Sequence, residues 1–337
     1  MDITIILNKL QEKQDLTEKE AKLLLSEIIK GTVTPVQTAS ILTALRMKGE
    51  TSDEIVGFIK TMKQNMIRVL ASNAIDVCGT GGDNTGTFNI STTVAFVVAG
   101  AGIKVAKHGN RAASSTCGSA DVLEKIGINL QLSPQQAQEI FRKVGMVFLF
   151  APLFHPAMKN VVTVRTELKT RTVFNFLGPF TNPALVEKQL IGVPNREIAE
   201  KLAEVGKKLH SKHLLIVTSE DGMDELSISS KTIAFEVKDN SIKQFSINPI
   251  DFGFKYTSQK EIVGGNTEEN ASYIFEILNA QKGPKRDIVI LNSACALYVA
   301  GSVKTIANGI KRAEESIDSG KAQLVLQNLI HETQKYA

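Results

Sequence analysis

The sequence contains little of what marks several classes of protein. Cysteine is scarce: Cys78, Cys117 and Cys295 are the only three, and no two of them have CxxC spacing. An odd, scattered set argues against a disulfide framework or a zinc site and indicates a reducing compartment. There is no run of about 18 apolar residues and no signal-peptide pattern after Met1. We therefore expect a cytoplasmic protein with no membrane partner.

A large excess of charge of either sign is also absent. The 337 residues include 39 Lys and Arg and 35 Asp and Glu, which leaves a formal net charge of +4. This charge is too small to mark a nucleic-acid-binding protein. With 43% hydrophobic and 22% charged residues, no internal repeat and no long polar linker, the chain is typical of a globular protein of about two domains.

Two kinds of pattern divide the chain. Residues 2–68 contain only helical patterns, at least four of them, and Thr17 with Glu20 forms a capping box at one helix start. From Ala74 onward, short apolar runs alternate with helical stretches, which is typical of parallel strands joined by crossover helices. The sequence thus predicts an α/β protein: a small all-helical N-terminal domain and a large α/β domain with a mostly parallel central sheet. The predicted domains are 1–68 and 69–337.

The predicted elements of the larger domain follow from the same patterns. We expect strands at 74–78, 103–107, 146–150, 188–193, 213–218 and 287–291. We expect helices at 92–100, 119–126, 134–144, 195–209, 267–279 and 303–319. The stretch 229–262 has alternating Thr, Phe, Val and Ile and predicts an antiparallel excursion.

A loop rich in glycine and hydroxyl side chains joins the first predicted strand to the first helix after it. It occupies 76–92 and reads Asp-Val-Cys-Gly-Thr-Gly-Gly-Asp-Asn-Thr-Gly-Thr-Phe-Asn-Ile-Ser-Thr. Such a loop offers backbone N–H groups and a positive helix end to a phosphate. It is neither a P-loop, which needs Lys-Ser/Thr after its last glycine, nor a dinucleotide fingerprint, which needs glycine where Asn84 stands.

The chain has no acidic side chains from the middle of this loop to residue 120. Although the chain has 35 acidic residues, none falls in residues 84–120, which carry Lys104, Lys107, His108 and Arg111. A second polar loop, 107–119, follows the second predicted strand, so both loops belong at the carboxyl ends of parallel strands, where α/β sheets bind ligands. We infer a site for a polyanionic ligand. The alternative is two ordinary connections that happen to be rich in glycine.

Four motifs in this order resemble one known family. They are Gly-Thr-Gly-Gly-Asp (79–83), Asn-Ile-Ser-Thr (89–92), Lys-His-Gly-Asn-Arg (107–111) and Ser-Ser-x-x-Gly-Ser-Ala-Asp-x-Leu-Glu (114–124). With them the chain resembles the anthranilate phosphoribosyltransferase family over nearly its whole length. The resemblance implies transfer of the 5-phosphoribosyl group of phosphoribosyl pyrophosphate (PRPP) to the amine of anthranilate, a step in tryptophan biosynthesis. It also implies a donor site at the interface of the two domains.

The resemblance further implies roles for individual residues. The implied donor-binding residues are Gly79, Gly82, Asp83, Thr87, Asn89, Ile90, Ser91, Thr92, Lys107, His108, Gly109, Asn110, Arg111, Ala112, Ala113, Ser114, Ser115 and Ser119. The implied ligands of a magnesium ion are Ser91, Asp224 and Glu225. The implied anthranilate-binding residues are Gly79, Asn110 and Arg165, with His108 nearby. A guanidinium fork suits a carboxylate, and oxygen ligands suit Mg²⁺.

Other residues receive no chemical role. We expect Glu220 and Asp221 to be surface residues, and neither His108 nor His155 is assigned as a general base. The chain departs from the family at Lys169 and Asn279, where glycine is usual, and at Thr218-Ser219, which replaces His-Gly.

The resemblance also implies how the two domains are joined. The segment 171–183 resembles the family's return crossing between the domains, within a hinge at 160–185, and we expect it to close over the site. Apolar residues on both sides of the N-terminal helices favour a homodimer. These residues are Leu23, Leu24, Ile28, Ile41, Leu42 and Leu45.

Two other functions are consistent with this architecture. A pyrimidine nucleoside phosphorylase shares the general fold and a related glycine loop, but Asn110-Arg111 and Asp224-Glu225 argue against it. A non-catalytic relative that binds nucleic acid through a basic groove is the other alternative. The intact donor loops argue against that function.

Overall fold

The computed structural model describes residues 2–83, 85–112 and 116–337. Among the described residues four helices open the chain, as predicted, and the last three begin at capping boxes such as Thr17 with Glu20. They are α1 (Ile3–Gln11), α2 (Glu18–Lys30), α3 (Pro35–Lys48) and α4 (Ser52–Asn65). The later helices are α5 (Ile90–Gly100), α6 (Ser119–Lys125), α7 (Pro134–Val144), α8 (Ala151–Phe154), α9 (Lys159–Leu168), α10 (Phe174–Leu177), α11 (Arg196–Lys208), α12 (Thr267–Leu278), α13 (Pro284–Ala300), α14 (Ile306–Asp318) and α15 (Lys321–Gln334).

In the ranges that the structure describes, seven strands form one mixed sheet in the order β3-β2-β1-β4-β5-β6-β7. They are β1 (Ile75–Gly79), β2 (Val105–Gly109), β3 (Met146–Phe150), β4 (Lys188–Gly192), β5 (His213–Ser219), β6 (Thr232–Lys238) and β7 (Ser241–Ile247). The first five are parallel to one another, and β6 pairs antiparallel with both β5 and β7, which confirms the predicted excursion. The strand order reverses between β1 and β4, so the topological switch point lies there.

The strand predicted at 287–291 is wrong, because these residues lie inside α13. The run Ile288, Val289, Ile290 and Leu291 is buried throughout. A helix buried on every side shows no 3.6-residue periodicity, so a short apolar run within it reads like a buried strand. Helix α15 was not predicted.

The core lies on the two faces of the sheet. One cluster packs α5 and the C-terminal helices against the sheet. The other joins α1–α4 to residues 161–180, to α11 and to the opposite face. Phe58 of α4 is fully buried, and the centre of its ring lies 6.4 Å from that of Phe174. Aromatic packing therefore holds the helical bundle to residues 171–183, which we call the crossing segment.

The apolar residues expected to favour a dimer are mostly internal. Only Leu23 is exposed, at 45%, whereas the other five are at most 2% exposed. These five side chains pack in the core of the bundle and are not available to a second subunit. The expectation that they form a dimer surface is therefore wrong. Along the part of the chain that the structure describes, no helix is both long and apolar enough to cross a bilayer.

Candidate active site

The first polar loop leads from the end of β1 into α5. Asn89 precedes the helix, but its side chain makes no cap; its Nδ2 instead donates to the Cys117 carbonyl at 3.1 Å. The first turn of α5, with Ser91 and Thr92, is therefore not capped by the Asn89 side chain. Because uncapped N–H groups and the helix dipole attract negative charge, this end of α5 is suited to an anion.

Lys107 is buried beside that helix end. It is 2% exposed, and its Nζ donates to the Val77 carbonyl at 2.6 Å and to Ser91 Oγ at 3.2 Å. In the described ranges Lys107 forms no salt bridge with a carboxylate. A buried ammonium without a paired acid favours an anionic ligand.

Asp76 lies near Lys107, and the sequence analysis assigned it no role. Its carboxylate is fully buried and accepts from Asn182 Nδ2 at 2.8 Å and from the His108 amide at 3.4 Å. Burial raises the pKa of Asp76 to about 6, although the Lys107 charge opposes this. Asp76 thus ties the ends of β1 and β2 to the crossing segment.

The acidic turn after β5 is shaped by Ser219, one of the departures from the family. The Ser219 hydroxyl accepts from the Met223 amide and donates to the Met223 carbonyl, each at 3.0 Å. Asp221 is half-buried and its Oδ2 accepts from Ser227 Oγ at 2.7 Å, so its expected surface position is wrong. Glu220 is exposed, as expected.

This turn packs on the ends of β1 and β4. Gly79 and Gly192 are register partners there, and a Cβ atom at either position would collide with Asp224. Asp224 Oδ2 accepts from the Gly81 amide at 2.7 Å. The acidic turn is therefore held against the first polar loop, at the switch point of the sheet.

Three carboxylates meet at this point with no basic side chain paired to them in the described residues. Burial, and then the negative charge of Asp83, raise the pKa of Asp224. Burial, and then the charge of Asp224, raise the pKa of Glu225. Among described residues, no group of three or more His, Cys, Asp or Glu could hold a metal by itself. The arrangement fits Mg²⁺, which takes one or two carboxylates and completes its shell with water and substrate phosphates.

The second polar loop is organised by α6. Arg111 bonds to Asp121 at 3.0 Å and to Glu124 at 2.8 Å, and Asp121 accepts from the amides of Ala112 and Gly118, both at 2.9 Å. The motif residues Asp121 and Glu124, which the sequence left without a role, thus hold the loop's backbone. The Arg111 guanidinium therefore points toward Asp121 and Glu124.

The remaining residues expected near this loop are placed as follows. The Asn110 carbonyl accepts from Ser119 Oγ at 3.2 Å. Ala113, Ser114 and Ser115 lie outside the described residues. Lys104 lies before β2, at the amino edge of the sheet, with its Nζ 5.7 Å from the Phe141 ring, so it is not part of the site.

A segment that sequence reasoning missed supports both loops from behind. Val263 forms an antiparallel bridge with Thr87, and the Gly264 amide donates to the Gly86 carbonyl at 2.8 Å. Thr116 Oγ1 donates to the Gly265 carbonyl at 3.2 Å. The Gly-Gly pair at 264–265 was the only signal of this support in the sequence.

On the other side of the site, Arg165 of α9 faces the crossing segment. It is partly exposed, and its guanidinium lies 5.4 Å from the centre of the Phe174 ring. Burial lowers the pKa of Arg165. It forms no salt bridge with a described residue, so its fork is available to a carboxylate.

Two histidines adjoin this side. The rings of His108 and His155 lie 5.1 Å apart, and burial lowers their pKa values to about 3 and about 4. His108 Nδ1 lies 3.2 Å from the Gly178 carbonyl. Both imidazoles are therefore neutral near pH 7 and add no charge to the site.

The other two departures affect the backbone only locally. Lys169 caps α9 in the left-handed region with φ 49°, a conformation that glycine adopts more readily. Asn279 is right-handed, and Ala280 after it takes φ 65°.

The chain is similar to known proteins over nearly its whole length. Two family models match: the glycosyl transferase family helical bundle domain over residues 4–66, and the glycosyl transferase family a/b domain over residues 71–323. The anthranilate phosphoribosyltransferase of Dehalococcoides mccartyi is 48% identical over 96% of both chains, and that of Symbiobacterium thermophilum is 46% identical over 96% of both.

Solved structures give the same result. The anthranilate phosphoribosyltransferase of Thermus thermophilus has a TM-score of 0.91 and 37% identity over 98% of this chain and 99% of its own. The Saccharomyces cerevisiae enzyme, in complex with PRPP and Mg, has a TM-score of 0.90 and 27% identity over 99% of this chain and 98% of its own. By sequence and by fold, then, this chain belongs to the anthranilate phosphoribosyltransferase family.

Proposed function

We propose that this chain transfers the 5-phosphoribosyl group of PRPP to the amine of anthranilate and releases pyrophosphate. One observation carries the proposal: an acidic turn is faced, across the switch point of the sheet, by the buried Lys107 and by the start of α5. Lys107 forms no salt bridge with a described residue, and the Asn89 side chain does not cap α5. Cationic and metal-binding groups that converge from opposite sides suit a diphosphate. That anthranilate is the acceptor is inferred from the family to which the chain belongs.

The donor is bound by the two polar loops. Gly79, Gly82, Asp83 and Thr87 hold it from the first loop, and the backbone of 107–115 with Ser119 completes the shell. Arg111 contributes through the loop, because its guanidinium is engaged by Asp121 and Glu124. Lys107 offers its charge to the leaving pyrophosphate from beneath.

Magnesium fits between Asp224, Glu225 and the Ser91 hydroxyl. The pKa values of the two carboxyls are raised first by burial and then by the negative charge of a neighbouring carboxylate. When bound, the ion neutralises charge that builds up on pyrophosphate as it leaves. The two carboxylates hold it, and Ser219 keeps their turn in place.

The acceptor lies between Arg165 and the first loop. Its carboxylate takes the Arg165 fork, with Asn110 and the Gly79 backbone nearby. Its neutral amine attacks C1 of the ribose from the side opposite pyrophosphate while that carbon has oxocarbenium character. The amine becomes acidic only as the new bond forms, so water accepts its proton and no strong base is required.

The crossing segment closes the site. It is largely buried against the bundle, and closure would exclude water from the reacting carbon. Hydrogen exchange of residues 171–183 should slow when PRPP binds. Exchange that does not change with bound donor would contradict the hinge.

We also propose that the enzyme is a cytoplasmic homodimer divided into domains near residue 68. Four exposed apolar side chains on α1–α3 support the dimer, and of these only Leu23 was expected from the sequence: Ile5, Leu23, Val36 and Met47 are 45–81% exposed. Sedimentation should give twice the 36.6 kDa chain mass. A monomer at micromolar concentration would contradict this.

The activity is tested by the loss of anthranilate fluorescence on mixing with PRPP and Mg²⁺. Asp224→Asn with Glu225→Gln should lower turnover most at limiting Mg²⁺, whereas Glu220→Gln, an exposed acid on the same turn, should not. An unchanged Mg²⁺ dependence would refute the metal site.

Two other results would favour the alternative functions. Phosphate-dependent cleavage of a pyrimidine nucleoside would favour a nucleoside phosphorylase. Tight, salt-dependent DNA binding without turnover would favour a nucleic-acid-binding relative.

A further inference from the structure

Arg171 connects the crossing segment to the first polar loop. Its Nη2 donates to the Gly81 carbonyl at 2.9 Å and its Nη1 donates to the Gly82 carbonyl at 3.1 Å. One guanidinium fork thus holds two consecutive peptide groups. Residue 171 is 89 positions from Gly82 in the chain, so neither the loop nor the crossing segment makes this contact alone.

The close approach depends on glycine in the loop. Gly82 has φ 77°, and a Cβ atom there would lie 2.5 Å from Arg171 Nη1. Any other residue would be strained by its backbone angle and would also push the guanidinium away. The second glycine of the Gly-Gly pair in Gly-Thr-Gly-Gly-Asp is therefore explained by the contact with Arg171.

The two bonds determine which way the loop's amides point. In a trans peptide the C=O and N–H groups point in opposite directions. The Gly81 carbonyl shares its peptide with the Gly82 amide, and the Gly82 carbonyl shares its peptide with the Asp83 amide. When Arg171 holds both carbonyls, it directs both amides away from the crossing segment.

Arg171 also lies near the acidic turn. Its pKa is lowered by burial and by Arg46 of α3, while the charges of Asp224 and Asp83 oppose this. It forms no salt bridge with either acid in the part of the chain that is described, so its hydrogen bonds go to the loop backbone.

We propose that Arg171 is a positioning residue for the donor: it orients the Gly82 and Asp83 amides toward the phosphates and does not itself touch the substrate. This inference rests on the proposed function of the loop. Substitution of Arg171 removes two hydrogen bonds from a charged donor, each of which stabilises the loop. Their loss should raise the PRPP KM by about tenfold or more.

The kinetic test compares Arg171→Met, Arg171→Lys and Lys169→Gln with the wild type. Arg171→Met should raise the PRPP KM much more than the anthranilate KM, and Arg171→Lys, which keeps one donor group, should recover part of the loss. Lys169→Gln removes a neighbouring exposed charge and should leave both KM values unchanged. Equal effects on both KM values, or an unchanged PRPP KM, would overturn the proposal.

A second measurement does not depend on turnover. The Gly81 amide is bonded to Asp224 Oδ2 at 2.7 Å, so its hydrogen exchange reports opening of the loop. Exchange should be faster in ligand-free Arg171→Met than in the wild type, with a similar melting temperature. Unchanged exchange would overturn the role of Arg171, whereas a wild type that fails to turn over would instead refute the proposed function.

Discussion

Gly192 offers a way to move the acidic turn without altering either carboxylate. A Cβ atom on Gly192 would overlap the Asp224 carbonyl group and lie 3.2 Å from the Glu225 backbone nitrogen. These atoms belong to the backbone and cannot rotate away. Because non-bonded atoms need about 3.5 Å, Gly192→Ala should displace the turn by more than about 1 Å.

The magnitude follows from that displacement. Overpacking in a well-packed site typically costs about 1–3 kcal/mol of unfolding free energy. A misplacement of about 1 Å at a reacting site can cost about 100-fold in rate. We therefore expect Gly192→Ala to remain folded with a lower melting temperature, to lose about 100-fold in kcat/KM, and to need more Mg²⁺ for half-maximal rate.

The assay is anthranilate fluorescence at a series of Mg²⁺ concentrations, with thermal melts in parallel. Gly145→Ala is the matched control, because Gly145 has φ 78° with open space around it and lies before β3, at the amino edge of the sheet. It should cost about 1–2 kcal/mol through backbone strain but leave the Mg²⁺ dependence unchanged. A Gly192→Ala enzyme with wild-type Mg²⁺ dependence and rate would refute the inferred placement of the turn.

Three further predictions concern other parts of the chain. Arg165→Met should raise the anthranilate KM more than the PRPP KM, because it removes the carboxylate fork but keeps the packing on Phe174; equal effects in steady-state kinetics would contradict the acceptor site. Lys169→Gly should raise the unfolding free energy by up to about 1 kcal/mol, since it relieves the left-handed φ of 49°; a lower denaturation midpoint would count against this. Glu50 is 2% exposed, its Oε1 has no hydrogen-bond partner in the described residues, and burial raises its pKa. Its stabilising contribution is therefore present below the unfolded-state pKa and is lost as the pH rises through the folded-state pKa. Glu50→Gln should match the wild-type melting temperature near pH 4 and exceed it near pH 8, and the same difference at both pH values would disprove the effect of charge.

Features encoded within a few residues were predictable from the sequence. The capping boxes of α2 and α4 lie within one helical turn, so the helix starts could be assigned without knowledge of the fold. The glycine loop and the segment without carboxylates are also contiguous. They indicated an anion site before any contact was known.

The features that complete the site come from distant parts of the chain, and only the tertiary structure decided them. Gly192 and Asp224 meet because β4 and β5 end at the same edge, and Arg171 reaches Gly82 because the crossing segment lies beside the first polar loop. The sequence predicted a strand at 287–291 because α13 is buried on nearly every side, so its residues show no helical periodicity. Local sequence patterns report the conformation that a segment prefers on its own. These contacts instead depend on which segments the folded chain brings together.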